Sequence, residues 1–188
     1  ITVTGTNDAP VCAVDTYSAV EGIPAVRGSV LANDTDEEGS PLSVLQVAAT
    51  AGGTVIAVNG TNVVTTMLGG TVVMNTNGTF TYTAPAQSNN PTAVQDSFVY
   101  KATDGSASSA WTTVNLNITD SSPTANNDSD SVGALAAATG NVITGAGVAP
   151  GGADTLGADS VTVSGVTYSG TPISTTDNGT TITVVTVE

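Results

Sequence analysis

The chain has 188 residues, enough for one large domain or two small ones, and carries a formal net charge of −14 at pH 7. Binding to a phosphate backbone needs Lys and Arg, and the chain has only two such residues, so nucleic acid is excluded as a partner. An anionic membrane surface is disfavoured for the same reason. Because no run of 18 apolar residues occurs, direct membrane insertion is not expected.

Short β-strands are the elements that the composition predicts. Val, Thr, Gly, Ser, Asn and Ala dominate, and 39% of the residues are hydrophobic, so the chain can bury a core and favours an all-β fold. Tight-turn dipeptides such as Asn59-Gly60 and Asn77-Gly78 separate the strands, as is typical of a β-sandwich. In chain order, strands are predicted near residues 11–20, 26–32, 42–49, 53–58, 62–67, 71–75, 79–84, 96–103 and 110–119.

An internal repeat relates the two parts of the chain. Pro10 matches Pro123 and Asp15 matches Asp128, both at an offset of 113 residues. The matches continue with Gly28–Asp34 and Gly140–Ala146 at an offset of 112, and with Ser40–Val47 and Leu156–Val163 at 116 to 117. The loop between these last two segments is therefore predicted to be about five residues longer in the second copy.

The domain boundaries follow from this repeat. Residues 1–6 resemble 114–119 and are predicted to be the closing strand of a preceding repeat. Residues 7–119 form a complete β-sandwich repeat in this interpretation, and residues 120–188 form a partial second one. We therefore expect the chain to be a piece of a longer tandem array, in which neighbouring repeats of the same chain are its partners.

Five segments carry a resemblance to a known group of proteins. They read NDAPV (7–11), VLANDTDEEGSPLSV (30–44), NGTFTYTA (77–84), DSFVYKATDG (96–105) and VNLNIT (114–119). Together they resemble the cadherin-like, VCBS-type repeats of large bacterial surface adhesins of the RTX type. The resemblance implies tandem immunoglobulin-like (cadherin-like) β-sandwich domains, secretion to the bacterial cell surface, and calcium at or near the joints between repeats.

The acidic stretch NDTDEEGS (33–40) is the strongest candidate for a calcium loop. In an immunoglobulin-like sandwich, the loops after the second and sixth strands lie at the same pole as the N-terminus. Calcium takes six to eight hard oxygen ligands in a flexible arrangement, and carboxylates without Lys or Arg beside them would otherwise repel one another. Calcium is therefore expected at the joint with the preceding repeat, with the candidate ligands Asn7, Asp8, Asp34, Asp36, Glu38 and Asp104.

A second joint is predicted at the start of the second repeat. Its loop GAGVAPGGADTLGADS departs from NDTDEEGS, so an identical site is not expected there. Asp15 and its counterpart Asp128 fit a role as ligands and a role in a turn or at a strand edge equally well. Glu21 is a weaker candidate, because its counterpart Gly133 has no side chain that could coordinate. The candidate ligands of this second joint are Asp120, Asp128, Asp130, Asp154 and Asp159.

The function expected from these features is that of a calcium-stabilised structural extender repeat of a secreted adhesin, located outside the cell at the bacterial surface. No enzyme is expected, because the chain has no His and only one Cys. A self-assembling extracellular filament or surface-layer subunit is one alternative, in which strand addition joins identical chains. A carbohydrate-binding module, with Trp111 and the Tyr residues stacking on sugar, is another. An acidic loop that is merely solvated remains the alternative to calcium.

Overall fold

The computed structural model describes residues 5–85, 94–128, 141–147, 152–158, 161, 163, 166–168 and 171–173. The chain divides into two compact units, Ile1–Asp120 (unit 1) and Ser121–Glu188 (unit 2). Most of the segment predicted as the closing strand of a preceding repeat lies outside the described residues, as do the candidate ligands Asp130 and Asp159.

Unit 1 consists of two sheets. In the first, the spatial order is β1 (Asp15–Val20), β9 (Thr112–Thr119), β8 (Val94–Thr103), β3 (Ser43–Ala48) and β4 (Ile56–Ala57). In the second, it is β2 (Pro24–Arg27), β7 (Phe80–Thr83), β6 (Thr71–Met74) and β5 (Val63–Thr65). All neighbours are antiparallel except β1 and β9, which are parallel. In unit 2, β10 (Val166–Tyr168) pairs with β11 (Thr171–Ile173) in a hairpin.

The architecture confirms the predicted all-β, immunoglobulin-like sandwich class, and all nine predicted strand positions of unit 1 contain a strand. The cause is visible in β9, where Val114, Leu116 and Ile118 are buried while Asn115 and Asn117 between them are half-exposed. Because side chains alternate between the two faces of a strand, this pattern directs the apolar set into the space between the sheets.

An aromatic cluster fills the centre of unit 1. The ring of Phe80 lies 5.1 Å from that of Tyr17 and 5.3 Å from that of Phe98, nearly perpendicular to both. Edge-to-face packing of this kind is favoured by the ring quadrupoles and adds to the burial of apolar area. Tyr82 and Tyr100 are also fully buried, and each directs its hydroxyl to an aspartate, as described below. The two sheets are thus joined by aromatic side chains as well as by aliphatic ones.

Several strands are shorter than predicted, and the end of β2 has a visible cause. The sequence predicts a strand over 26–32, but β2 ends at Arg27 and the chain turns over the core. The Ser29 hydroxyl donates to the carbonyl of Asn77 and accepts from the amide of Leu31, at 2.7 and 3.2 Å. Val30 is fully buried, and its amide donates to the Gly78 carbonyl at 3.1 Å. A side-chain hydrogen bond that competes with the ladder therefore ends the strand.

The strand registers define the end of unit 1 at which the acidic residues meet. β2 and β8 end there, and β3 and β9 begin there, since Arg27 pairs with Phe80 and Ser43 with Thr103. We call this end the N-terminal pole. Glu21 follows β1 at the opposite pole, where its side chain is buried and its amide donates to the Thr119 carbonyl.

Candidate functional site

The acidic loop is fastened to the N-terminal segment by backbone hydrogen bonds. Val11 and Thr35 exchange both of their amide–carbonyl bonds, at 2.8 and 3.0 Å. Within the loop, the Asp36 carboxylate accepts from the amide of Ser40 at 2.9 Å, and Gly39 adopts a φ of 70° that closes the turn. A positive φ of this size favours glycine, because a side chain would crowd the backbone. The loop is therefore held close to the residues that enter unit 1.

Four of the predicted ligands meet in pairs on the outer side of the pole. The side-chain amide of Asn7 donates to the Asp104 carboxylate at 2.8 Å, across 97 residues of sequence. The backbone amide of Asp8 lies 3.3 Å from both carboxylate oxygens of Glu38. The structure thus brings together the linker, the acidic loop and the loop after β8, as the sequence predicts.

The Asp104 carboxylate is also held by its own loop. Its Oδ1 atom accepts from the backbone amides of Ser106 and Ala107 at 2.6 and 2.7 Å. The pKa of Asp104 is lowered by the hydrogen bond from Ala107, by that from the Asn7 side chain and by that from Ser106. Donors that favour the ionised form keep this carboxylate charged, which is the state that a metal ligand requires.

Asp34 points inward, away from these pairs. Its Oδ1 atom accepts from the backbone amide of Ala13 at 3.0 Å, and the Tyr100 hydroxyl lies 2.8 and 3.1 Å from its two oxygens. Burial and the hydrogen bond to Asp34 raise the pKa of the Tyr100 phenol, so it remains a neutral donor. Asp34 therefore contacts the interior of the sandwich rather than Glu38 or Asp104.

Asp15 interacts with Asp34. The sequence did not distinguish between a role of Asp15 as a metal ligand and a role in a turn or at a strand edge. Only 7% of its surface is exposed, and its buried Oδ2 atom accepts no hydrogen bond. Burial, followed by repulsion from Asp34, raises the pKa of Asp15 to about 6, and the side chains of Asn33 and Tyr100 oppose that rise. Its match with Asp128 was the one sequence signal that could have identified it.

Unit 2 repeats the inward arrangement. Asn126 donates its backbone amide to Asp154 Oδ1 at 2.8 Å, as Ala13 does to Asp34, and Asn126 is the counterpart of Ala13 at the offset of 113. Thr124 and Thr155 exchange backbone hydrogen bonds at 2.9 and 3.0 Å, as Val11 and Thr35 do. Asp154 is therefore the structural counterpart of Asp34.

This equivalence corrects the sequence alignment of the acidic loop. The Ser29 side chain accepts from the amide two residues later, and so does the Asn141 side chain, so these two residues correspond at an offset of 112. Asp34 and Asp154 correspond at an offset of 120, which means that eight residues are inserted between these two points in unit 2. The extra residues of the second loop thus precede Asp154 and are more numerous than predicted. Asp128 follows at the position of Asp15 and also has a buried oxygen, Oδ1, without a hydrogen-bond partner. Asp120 is exposed at the end of β9.

The chemistry of the donors fits a hard cation, although they are not assembled around one point. All the donors are carboxylate or amide oxygens, and the Oδ2 atom of Asp36 is buried without a partner. Within the part of the chain that the structure describes, however, no three acidic or Cys side chains stand close enough to hold a metal ion. The roles of Asn7, Asp8, Asp36, Glu38 and Asp104 as ligands therefore stay predictions.

Comparison with known proteins bears on the family of the chain. Among the described residues, no helix has the length and apolarity needed to cross a membrane. A comparison with curated proteins gave no match. The profile of the bacterial cadherin-like domain matches residues 7–120, which cover nearly all of unit 1 and more than half of the chain. With this match and its two-sheet sandwich, the chain belongs to the family of bacterial cadherin-like domains.

Proposed function

We propose that the chain is a structural extender repeat of a secreted bacterial adhesin, and that calcium at the N-terminal pole makes the joint with a preceding repeat rigid. Membership of the bacterial cadherin-like family supports an extracellular structural or adhesive repeat. The observation that carries the calcium part is the convergence of Asn7 with Asp104 and of Asp8 with Glu38 at one pole. We also propose that the adhesin is of the RTX type, that the repeat is of the VCBS type, and that the chain has no catalytic activity.

Electrostatics explains why a cation would matter at this pole. Two carboxylates 4 Å apart repel by roughly 1 kcal/mol in water and by about 4 kcal/mol at an effective dielectric constant of 20. The chain has two basic residues, and one of them, Lys101, lies over the ring of Trp111 at 5.3 Å. A divalent cation reverses the sign of the repulsion. When bound, it would be held by oxygen atoms of Asp36, Glu38 and Asp104, with further ligands from the linker.

A location outside the cell also fits calcium binding by this repeat. Extracellular modules bind calcium with dissociation constants of about 10⁻⁴ to 10⁻³ M, far above cytosolic concentrations. A repeat with such an affinity would remain metal-free before secretion and would load outside the cell. Because the ion would bind only the folded chain, loading would stabilise the fold and the joint after export.

Thermal unfolding of the 188-residue chain in EDTA, in millimolar calcium and in magnesium, at constant ionic strength, tests the proposal. At about twenty times the dissociation constant, one ion adds roughly 1.8 kcal/mol to the free energy of unfolding. The Tm should therefore rise by about five degrees in calcium. Magnesium should have little effect, since it gives up its water reluctantly. An equal Tm in calcium and EDTA would mean that the acidic loop is only a solvated surface.

Variants distinguish calcium binding at the N-terminal pole from a general effect of net charge on the Tm. Replacing Glu38 with Gln together with Asp104 with Asn should remove much of the calcium-dependent rise in Tm. Glu37→Gln is the matched control, because Glu37 is an exposed acid in the same loop and removes one of the same charges. If Glu37→Gln lowers the calcium response as much as the double variant does, calcium acts through net charge and not through this site.

One observation favours the filament alternative and must be tested beside the extender. Val26 on the edge strand β2 is 76% exposed, and Val63 on the opposite edge strand β5 is 51% exposed. Edge strands with apolar side chains can add a strand from another chain. Sedimentation velocity over a range of protein concentrations distinguishes a monomeric rod from an assembly that grows with concentration. The aromatic rings of unit 1 are mostly buried, which gives the carbohydrate-binding alternative no comparable support.

A further inference from the structure

In the part of the chain that the structure describes, the four-stranded sheet of unit 1 has an outer face without charge, although the chain carries a net charge of −14. Residues 39–95 contain no Asp, Glu, Lys or Arg, and β5, β6 and β7 all lie within this stretch. On β2 the one charged residue is Arg27, which lies on the opposite face of the strand from the exposed Val26, because successive side chains alternate. We call this outer surface the neutral face. A surface that lacks charge loses little hydration energy when another molecule covers it.

Two rows of side chains cross the neutral face, with one side chain from each strand in each row. The strand registers define the rows, and every side chain in them is exposed or half-exposed. One row consists of Val26, Thr81, Val73 and Val63, and the other of Pro24, Thr83, Thr71 and Thr65. Met67 and Leu68 are exposed in the turn between β5 and β6, at one end of the face. The neutral face can therefore pack against another molecule without any change in the strands.

The outer face of the five-stranded sheet is different. It carries Lys101 and the amides of Gln95, Asn115 and Asn117, and the Gln95 side chain donates to that of Asn117 at 3.0 Å. Charged and amide groups are strongly hydrated, and burying them costs free energy unless each finds a partner. The cores of protein interfaces are correspondingly poor in charged residues. The neutral face is thus the side of unit 1 that another molecule covers with the smaller loss of hydration.

A second copy of this chain fits the neutral face better than other classes of partner do. A cationic partner would be attracted to the acidic N-terminal pole, and a carbohydrate would need aromatic rings or amides, which the two rows of described side chains lack. The partner needs an uncharged β surface with exposed methyl groups, and the neutral face of another copy has both properties. Two copies related by a two-fold axis place the same face on both sides of the contact.

Repulsion between two chains does not prevent this contact. A two-fold axis that lies between the faces and perpendicular to the strands makes the strands of the two copies antiparallel, so the acidic N-terminal poles lie at opposite ends. The ten residues of β8 span about 33 Å at about 3.3 Å per residue. This length is roughly three times the Debye length of about 10 Å in 0.1 M salt, so the two poles are screened from each other.

We propose that the neutral face is a self-association surface, on which unit 1 of a second copy packs face to face with its strands antiparallel. The contact goes beyond the extender proposal and needs neither calcium nor the joint. It also differs from strand addition, which uses the backbone of the edge strands β2 and β5, because side chains of the central strands β6 and β7 take part. A two-fold contact closes at two copies, whereas strand addition continues to grow.

The area of the neutral face limits the strength of the contact. Four strands about 4.8 Å apart, each with about four residues, cover roughly 20 by 13 Å. This area is well below the roughly 800 Å² per partner of a stable complex, so single chains should associate weakly, with a Kd of about 0.1–1 mM. In a tandem array, which rests on the extender proposed above, several such contacts would act together. The second repeat has the required composition, since Asp177 is the only charged residue between positions 160 and 187.

Sedimentation equilibrium of the 188-residue chain in EDTA, at protein concentrations from about 10 μM to about 1 mM, tests the proposal. The weight-average mass should rise with concentration from that of a monomer toward that of a dimer. Thr81→Glu, which places a carboxylate on a central strand of the face, should raise the Kd by about tenfold or more. Ser18→Glu is the matched control, because Ser18 is exposed on the outer face of the other sheet and the variant gains the same charge. It should associate as the unchanged chain does.

A pair of opposite charges provides a positive test of the same contact. Thr81→Lys alone should also associate more weakly than the unchanged chain, since like charges then face each other. An equimolar mixture of Thr81→Lys and Thr81→Glu should associate at least as strongly as the unchanged chain. Val26→Glu, at the exposed end of the same row, should weaken association as Thr81→Glu does and replaces it if that variant does not fold. Circular dichroism and the Tm of each variant check the fold.

Three results would overturn the proposal. A chain that stays monomeric up to about 1 mM has no such surface. An equal loss of association in Ser18→Glu and Thr81→Glu would show an effect of net charge only. Association that neither Thr81→Glu nor Val26→Glu weakens would assign the contact to another surface. None of these results involves calcium, so the extender proposal is decided separately by the Tm in calcium and in EDTA.

Discussion

Gly70→Ala should destabilise unit 1 by about 3 kcal/mol, because the new methyl group has no room. A Cβ atom at Gly70 would lie 2.6 Å from the Tyr82 hydroxyl oxygen, 2.7 Å from the adjacent ring carbon, and 2.9 Å from Asp96 Oδ2. These atoms belong to a buried network at the pole opposite the acidic loop. Tyr82 donates to Asp96 Oδ2 at 2.7 Å, and the Thr66 hydroxyl contacts the same oxygen.

The size of the effect follows from two costs that occur together. Overpacking a well-filled core costs about 1–3 kcal/mol, and a buried polar group that loses its hydrogen bond costs about 1–3 kcal/mol more. Asp96 is 2% exposed, so water cannot replace a lost donor. The methyl group must displace Tyr82 or Asp96, and either movement weakens the bond between them.

Urea unfolding in EDTA, followed by tryptophan fluorescence, measures this change in unit 1, since Trp111 is the only tryptophan of the chain and lies in that unit. Gly28→Ala is the matched control, because a Cβ there has nothing within 4 Å and the backbone has no positive φ. The control should be neutral or stabilising by up to about 1 kcal/mol. Equal urea midpoints for the two variants would show that the space around Gly70 adapts.

Local pattern was enough to predict the strands of unit 1, because period-2 alternation and tight turns are encoded within a few residues. Gly78, for example, adopts a φ of 83° in the turn predicted from Asn77-Gly78. The end of β2 was not predictable in this way. The Ser29 hydroxyl ends the strand only because Asn77, 48 residues away, presents its carbonyl. Strand order, including the parallel pairing of β1 with β9, depends equally on the folded chain.

The acidic residues show the same division. The immunoglobulin-like topology implied by the family resemblance predicted that Asn7, Glu38 and Asp104 would meet, and the structure places them at one pole. The inward rotation of Asp34 depends on Tyr100, 66 residues away, and could not be inferred from the loop alone. The position of Asp154 was obscured by an insertion, which only the paired hydrogen bonds of Asn126 and Thr155 locate. Buried polar contacts between residues that are distant in sequence thus could not be predicted from local sequence patterns.

The stability of the metal-free chain should fall as the pH rises from about 4 to about 6, and Asp15 should be the main cause. Its pKa is 3.8 in the unfolded chain and about 6 in the fold, because burial and Asp34 both disfavour the charged form. The folded state therefore binds more protons than the unfolded state in this window. The stability due to the protonated form is fully present below about pH 4 and is lost as the pH passes 6. At 1.36 kcal/mol per pKa unit, the loss is on the order of 2–3 kcal/mol.

The neighbouring phenols and the thiol do not titrate in that window. Tyr17, Tyr100 and Cys12 all have raised pKa values, mainly through burial, and stay neutral up to pH 7. Asp104 has a lowered pKa, so the stability that it contributes is lost only as the pH falls below the window, with the opposite sign. Urea unfolding between pH 4 and 7 in EDTA measures this decline in the free energy of unfolding.

Asp15→Asn tests the assignment, because asparagine keeps the shape of the side chain and cannot ionise. The variant should lose most of the decline between about pH 4 and 6 and should exceed the unchanged chain in stability at pH 7 in EDTA. Glu37→Gln, which alters an exposed acid, should keep the decline. If the decline persists unchanged in Asp15→Asn, another group takes up the proton. The Asp15 carboxylate would then be charged throughout this pH range, stabilised by the Asn33 and Tyr100 side chains.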